Sequence, residues 1–363
     1  MKLGIIGLPN SGKTTLFNVL TGRQVQTGTF TPADAEPNIG IVKVPDERLD
    51  RLAEMFRPKK VTPATVEYID IAGLRREGGV KGELGKELLF HIRNVDALIH
   101  VVRTFKSDKV PPAGGDINPE RDISTVNLEL ALSDLDIVEK RMERVEINIK
   151  KKGEKEGIAE LQLLTKLKQN LEAGIPIRQL ELSEDERKLI KGFQFLTAKP
   201  MLIVLNIGEE ELKFPERYRD LKEKYQSLGI PVIELCAEIE SQISQLGDKE
   251  TEKAFMEDLG IKESGLTRLI RVSYELLGLI SFLTVGKEEV RAWTIRKGTK
   301  AQQAAGVIHS DMERGFIRAE VVSYEDLIKS GSLAAARNKG LLRLEGKDYI
   351  VQDGDVIEIR FNV

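Results

Sequence analysis

Near the start of the chain, Gly7-Leu8-Pro9-Asn10-Ser11-Gly12-Lys13-Thr14 follows the pattern G-x-x-x-x-G-K-[ST]. Glycines at those positions let main-chain N–H groups close around phosphate oxygens, and a helix starting there adds its dipole. Lys13 would reach the β- and γ-phosphates, and the Thr14 hydroxyl would bind Mg²⁺. Asn10, Ser11, Gly12, Lys13, Thr14 and Thr15 are therefore the candidate phosphate-binding set. The pattern has meaning only between a strand and a helix. Residues 2–6 read as a short buried strand, and the apolar positions from Lys13 to Leu20 fit a helix.

Two further segments complete the chemistry of such a site. Ile69-Asp70-Ile71-Ala72-Gly73 ends a strand-like run, so Asp70 is a candidate for the Mg²⁺ shell and the Gly73 N–H for sensing the γ-phosphate. The next residue, where many GTPases carry a water-orienting glutamine, is Leu74, which cannot hydrogen-bond water. Lys13, Gly73 and Leu74 are thus the positions on which turnover depends. Base recognition falls to Asn206-Ile207-Gly208-Glu209, after the apolar run Met201–Leu205, where guanine-reading proteins carry N-K-x-D. Ile207 replaces the lysine and Glu209 the aspartate, which impairs guanine selectivity without by itself establishing adenine preference. Cys236-Ala237 follows another strand-like run and fits the last base-contacting loop, with Cys236 read as a small buried residue rather than a reactive thiol. An asparagine in the phosphate loop can ligate K⁺ in other nucleotide hydrolases. K⁺ is therefore a second candidate ion at Asn10, against the alternative that Asn10 only shapes the loop.

The elements that must hold these residues read as one interrupted α/β domain. Ile39–Val44, Thr65–Ile71, Leu98–Thr104, Met201–Leu205 and Ile230–Leu235 are strand-like, and the unbroken apolar runs are those of a parallel sheet covered on both faces. Between them the texture changes. Leu128, Ala131, Leu135, Val138, Met142, Val145 and Ile149 recur in steps of three and four, a heptad seam. Lys151-Lys152-Gly153 interrupts it, and Ile158, Leu161, Leu164, Leu167 and Leu171 begin a second helix. The segment reads as a projecting helical hairpin inserted into the sheet domain. From Leu279 onward short alternating segments and the turn Asp353-Gly354-Asp355 mark a compact terminal domain. The expected partition is 1–125 with 196–278 for nucleotide binding, 126–195 for the hairpin, and 279–363 for the terminal domain.

The chain has 363 residues, a formal charge of −3 and 41% hydrophobic content, ordinary for a globular protein of two to three domains. One cysteine excludes an internal disulfide and a multi-cysteine zinc site, and three scattered histidines leave little for a histidine-rich metal site. His91 and His100 read as core or surface residues rather than catalytic bases. No apolar run approaches the roughly 20 residues needed to span a bilayer, so the expected location is the cytoplasm. The near-neutral balance gives no bulk footprint for DNA or an anionic membrane.

Several of these motifs together resemble the YchF/Obg-like ATPases: Gly7 to Thr15, Pro37-Asn38-Ile39-Gly40 with Val44-Pro45-Asp46, Asp70-Ile71-Ala72-Gly73-Leu74, the Asn206–Glu209 loop, and Arg291-Ala292-Trp293-Thr294-Ile295-Arg296-Lys297-Gly298-Thr299. The resemblance covers essentially the whole chain. It implies a P-loop, G-domain-like α/β sheet with an inserted coiled-coil hairpin and a C-terminal TGS (ubiquitin-like β-grasp) domain. It also implies Mg²⁺-dependent hydrolysis of ATP in preference to GTP, with nucleotide state governing association with the ribosome. Two departures stand out. Asp34 occupies the position of the usual Mg²⁺-binding switch threonine, and Lys81-Gly82-Glu83-Leu84-Gly85 is one residue shorter than usual. Two other readings remain open: a nucleotide-gated binding module with negligible turnover, which Leu74 favours, and a GTPase of relaxed base specificity.

The basic residues suggest where a partner would bind. Residues 140–155 hold seven basic side chains (Lys140, Arg141, Arg144, Lys150, Lys151, Lys152, Lys155) against three acidic ones (Glu143, Glu146, Glu154). This local excess sits at the expected hairpin tip, suited to ribosomal RNA phosphates or else simply solvated. Arg291, Arg296, Lys297 and Lys300 surround Trp293, which is read first as a core anchor and second as a base-stacking residue. A monomer is the expected state.

Overall fold

The computed structural model describes residues 1–23, 37–71, 86–108, 110–152, 156–214 and 216–362. The positions Asp34, Gly73, Leu74, residues 81–85 and Lys155 lie outside the described residues. Seven strands precede the C-terminal region: β1 (Lys2–Ile6), β2 (Asn38–Lys43), β3 (Lys60–Thr62), β4 (Thr65–Asp70), β5 (Ala97–Arg103), β6 (Met201–Asn206) and β7 (Val232–Leu235). All but β3 form one sheet in the order β2-β4-β1-β5-β6-β7. The pairs β4–β1, β1–β5, β5–β6 and β6–β7 are parallel.

Every residue of β5 and of β6 is buried, which is why their sequences are continuous apolar runs rather than alternating ones. The register places Ile5 opposite Asp70 and Arg103 opposite Asn206, and Asn206 opposite Leu235. The carboxyl ends of these strands therefore meet along one edge, where ligands bind in open α/β sheets.

The long helix Pro119–Lys152 begins seven residues before the expected hairpin boundary at 126. Its first turns are apolar toward the sheet: Ile123 joins the cluster of β6 and β7, and Val126 and Leu130 join that of β1 and β5. Farther along, it packs against the helix Glu156–Glu172. The pairs Arg141–Glu160 and Lys168–Glu139, with Gly157 beside Ile149, show that the two helices run antiparallel. Ala131, Val138, Val145, Leu164, Leu167 and Leu171 fill the seam, closed at its foot by Phe193 and Phe195. Two expected seam residues are elsewhere: Leu128 is 57% and Ile158 47% exposed, and Leu163 is buried instead. The heptad phase therefore holds only where two helices face each other.

Five strands complete a second sheet: β8 (Leu279–Thr284), β9 (Glu289–Arg296), β10 (Phe316–Ser323), β11 (Arg343–Glu345) and β12 (Asp355–Phe361). With β3 it has the order β11-β10-β12-β8-β9-β3 and mixed direction, β12–β8 and β3–β9 being parallel and the other described pairs antiparallel. The helix Ala301–Ile308 covers one face through Ala301 and Ala304, against Phe282, Ile295, Val321 and Ile357. Trp293 stacks on Phe282 and donates to the Thr284 hydroxyl at 2.9 Å, while the Arg291 guanidinium lies 3.8 Å from its ring. It is half-buried and packs against the core of this sheet.

The chain divides into two compact units, residues 1–40 with 67–269, and 41–66 with 270–363. The sequence reading places 41–66 in the nucleotide-binding domain; β2 and β4 at its ends belong to the first sheet, while the stretch between them, with β3, packs with the C-terminal sheet. The reason lies in specific contacts. Arg48 joins Asp46 to Asp353, both at 2.8 Å, and Lys59, Lys60 and Thr62 engage Glu288 and Glu289. Long-range pairing of this kind leaves no local signal in sequence.

Candidate nucleotide site

The phosphate loop connects β1 to the helix Lys13–Thr21. Gly12 is left-handed (φ 92°), and a Cβ there would lie 2.2 Å from the Asn206 amide nitrogen. Gly7, at φ 148°, lies so close to the Val101 carbonyl that a Cβ would approach it to 2.3 Å. Both positions require glycine, for conformation and for space.

Lys13 is buried and donates to the Leu8 carbonyl at 2.8 Å. Desolvation lowers its pKa to about 8, while the nearby Asp70 carboxylate pulls it upward. Asp70 ends β4, also buried, and desolvation raises its pKa against the opposing effects of the Thr14 hydroxyl bond and the Lys13 charge. One carboxylate oxygen, Oδ1, is buried without a hydrogen-bond partner among the described residues. An orphaned carboxylate oxygen beside a threonine hydroxyl is a hard, oxygen-only donor set, which fits Mg²⁺. The expected Lys13, Thr14 and Asp70 are thus brought together. Ser11 is buried in the loop with its hydroxyl likewise unpartnered, and Thr15 is half-buried beside Thr14.

The base loop is tied to the phosphate loop by one side chain. Asn206 donates to the Ser11 carbonyl at 3.0 Å and accepts from the Ala237 N–H at 3.1 Å. Glu209 is exposed beyond it and lies near enough to Cys236 to raise that thiol's pKa, although burial is the larger cause. Cys236 is buried at the start of the helix Ala237–Gln245, with its thiol near the Ile239 and Glu238 N–H groups, in keeping with a structural role.

Two expected contacts are placed differently. Ile207 is 5% exposed and packs in the cluster with Tyr225, Ile230 and Ile239, so its side chain is core and not a cover for a base. Hydrophobicity at the end of an all-buried strand decides its direction. The Asn10 amide donates to the Pro111 carbonyl at 3.1 Å, from a left-handed residue with φ 64°. In this arrangement it shapes the loop. His100 is buried in β5 with its pKa pushed down to about 3, by burial first and then by Arg178 and Lys13. It is a neutral core residue.

Sequence reasoning missed Arg103 and Phe105. Phe105 lies between the two loops: its ring comes within 4.0 Å of where a Gly12 Cβ would stand, and its Cβ within 3.5 Å of the same position on Gly208. Their partners Asn10, Gly12 and Gly208 lie far off along the chain, so no local signal marks either residue.

Comparison with known proteins identifies the chain's relatives. Residues 2–145 match the family model described as 50S ribosome-binding GTPase, and residues 279–362 match YchF-GTPase_C, described as a protein of unknown function (DUF933). The chain is 48% identical to the ribosome-binding ATPase YchF of Bacillus subtilis, over 99% of both chains. It is 47% identical to the protein of that name from Pasteurella multocida, over 100% of this chain and 99% of the other. Among solved structures, that of the Schizosaccharomyces pombe YchF GTPase superposes with a TM-score of 0.87 at 35% identity, covering 99% of this chain and 97% of that one.

Proposed function

We propose, from the premise that this chain belongs to the YchF family of ribosome-binding ATPases, that it binds and hydrolyses Mg²⁺·ATP and that its nucleotide state regulates ribosome binding. The observation that carries the reading is the convergence of Lys13, Thr14 and the orphaned Asp70 Oδ1 beneath a loop tied to the base loop through Asn206. Lys13 and the loop N–H groups would hold the phosphates, and Thr14 and Asp70 would hold the Mg²⁺, which would supply positive charge to the transferred phosphoryl group. Asp34 is a further candidate ligand, and Gly73 and Leu74 remain the candidate γ-phosphate sensor and water-facing residue. K⁺ at the phosphate loop would take the Asn10 Oδ1, the oxygen of the amide whose Nδ2 donates to the Pro111 carbonyl.

The preference for ATP over GTP that the resemblance implies is supported by a base loop that lacks the guanine-selecting pair. Ile207 is turned into the core and offers no aliphatic stem to the base, and Glu209 carries one methylene more than the aspartate that pairs with guanine. The mixed β8–β12 sheet with its covering helix supports a β-grasp, TGS-like terminal domain. The antiparallel helices support an inserted coiled-coil hairpin as the ribosome-facing arm. GTP as a weaker second substrate is the reading favoured by the family description of a GTPase.

Titration of the purified chain with Mg²⁺·ATP and Mg²⁺·GTP tests the assignment. ATP is expected to bind more tightly by about tenfold, the effect of one lost charge-assisted hydrogen bond. Equal or tighter GTP binding overturns the adenine preference, and binding of neither overturns the nucleotide assignment.

A further inference from the structure

Arg103 ends β5 at the sheet edge that carries the phosphate loop, yet it is only 4% exposed. Its guanidinium donates to three main-chain carbonyls: Val110 at 2.7 Å, Phe105 at 3.1 Å and Asn10 at 3.4 Å. It also lies over the Phe105 ring, 4.4 Å from the centroid. Among the described residues its hydrogen-bond partners include no carboxylate, so it is not one half of an ion-pair strut.

What Arg103 does touch is telling. Asn10 is the left-handed non-glycine residue of the phosphate loop, and its amide is latched to Pro111, next to the Val110 that Arg103 holds. Phe105 stands between the phosphate loop and the base loop. One planar side chain with five donors can serve three diverging acceptors and stack on a ring at once, which a lysine cannot.

We propose that Arg103 is a positioning residue of the nucleotide site: it fixes the Asn10 carbonyl of the phosphate loop and the Phe105 ring between the two loops in one arrangement. The inference rests on the nucleotide-binding reading given above. Arg103 acts through Phe105 and Asn10 and needs no contact with nucleotide of its own.

A double-mutant cycle on the full-length chain tests it, with a fluorescent ATP analogue and Mg²⁺ as the probe. Arg103→Lys is expected to weaken binding by about tenfold in the otherwise unaltered protein, and by clearly less, about threefold, in the Phe105→Leu background, where only the Asn10 contact is left to lose, since coupled residues are non-additive. Where Arg103→Lys loses native circular dichroism, Arg103→Gln, which keeps a planar donor, is read in the same cycle. Equal losses in both backgrounds, or no loss in either, overturn the positioning role. A parent protein that binds no probe overturns the nucleotide reading itself, a distinguishable result.

Discussion

Lys13 is a buried cation whose pKa of about 8 leaves it partly neutral in mildly alkaline solution without nucleotide. A bound triphosphate favours the charged form and raises that pKa, so above it binding must take up a proton. Affinity for Mg²⁺·ATP is expected to be nearly flat below about pH 7 and to fall by up to about tenfold per pH unit above 8. Calorimetric titrations across that range check this, and a flat profile would mean that Lys13 stays charged without ligand. The sign for folding is opposite. The unfolded chain keeps the proton up to the ordinary lysine value of 10.5, so stability without nucleotide gains from this group as pH rises from about 8 toward 10.5. Lys13 and Thr14 were legible in sequence because a phosphate loop fixes main-chain geometry through spacing alone, and Asp70 because its Asp-to-Gly spacing ends a strand-like run. Ile207 was not, because a residue at a strand end can face base or core, and only the packing of Tyr225 and Ile230 beside it decides. Arg103 was illegible for a related reason. Its partners Asn10 and Val110 become neighbours only when the loop after β5 returns to the phosphate loop.

Among the elements, the helix pair was legible from its apolar spacing, but its phase was not legible at either end. Leu128 belongs to turns where the helix Pro119–Lys152 packs on the sheet rather than on its partner, and there the seam rotates away. The basic excess is also narrower than the sequence suggests. Lys140 pairs with Asp136 and Arg141 with Glu160, leaving exposed Lys150 and Lys151 nearest the end of the first helix. Exposed ion pairs contribute little to stability, so these last lysines can be changed without unfolding the pair. Changing Lys150, Lys151 and Lys152 together to Glu is expected to weaken ribosome co-sedimentation strongly and lower its salt slope by about one unit per lost phosphate contact. Hydrolysis without ribosomes is expected to stay near its original rate. Unaltered co-sedimentation at moderate salt would assign the lysines to solvation, and a matching loss of intrinsic hydrolysis would mean that the tip serves the nucleotide site.

At the scale of the whole molecule, neither compact unit is continuous in sequence. The C-terminal sheet borrows β3 and the helix Glu47–Phe56 from a segment that leaves the nucleotide-binding unit after residue 40 and returns at residue 67. Its attachment is polar and specific. Asp46 caps that helix by accepting from the Arg48 N–H, and the Arg48 guanidinium reaches Asp353, whose carboxylate also accepts from the Ser281 N–H. Without the segment, the outer edge of β9 would lose its parallel neighbour and present unpaired main-chain groups, a poor state for a small sheet. The C-terminal portion alone, residues 270–363, is therefore expected to be marginally folded. The same portion fused to 41–66 through a flexible linker should gain a cooperative transition and a higher midpoint. Arg48→Ala in that fusion should cost about 1 kcal/mol, the net value of partly exposed charge-assisted bonds, with hydrogen exchange speeding first at the Ser281 and Gly354 amides. Thermal unfolding followed by circular dichroism decides the matter. If residues 270–363 alone unfold as cooperatively and at as high a temperature as the fusion, the borrowed segment decorates the sheet, and the division at residue 279 expected from composition describes an independent domain after all.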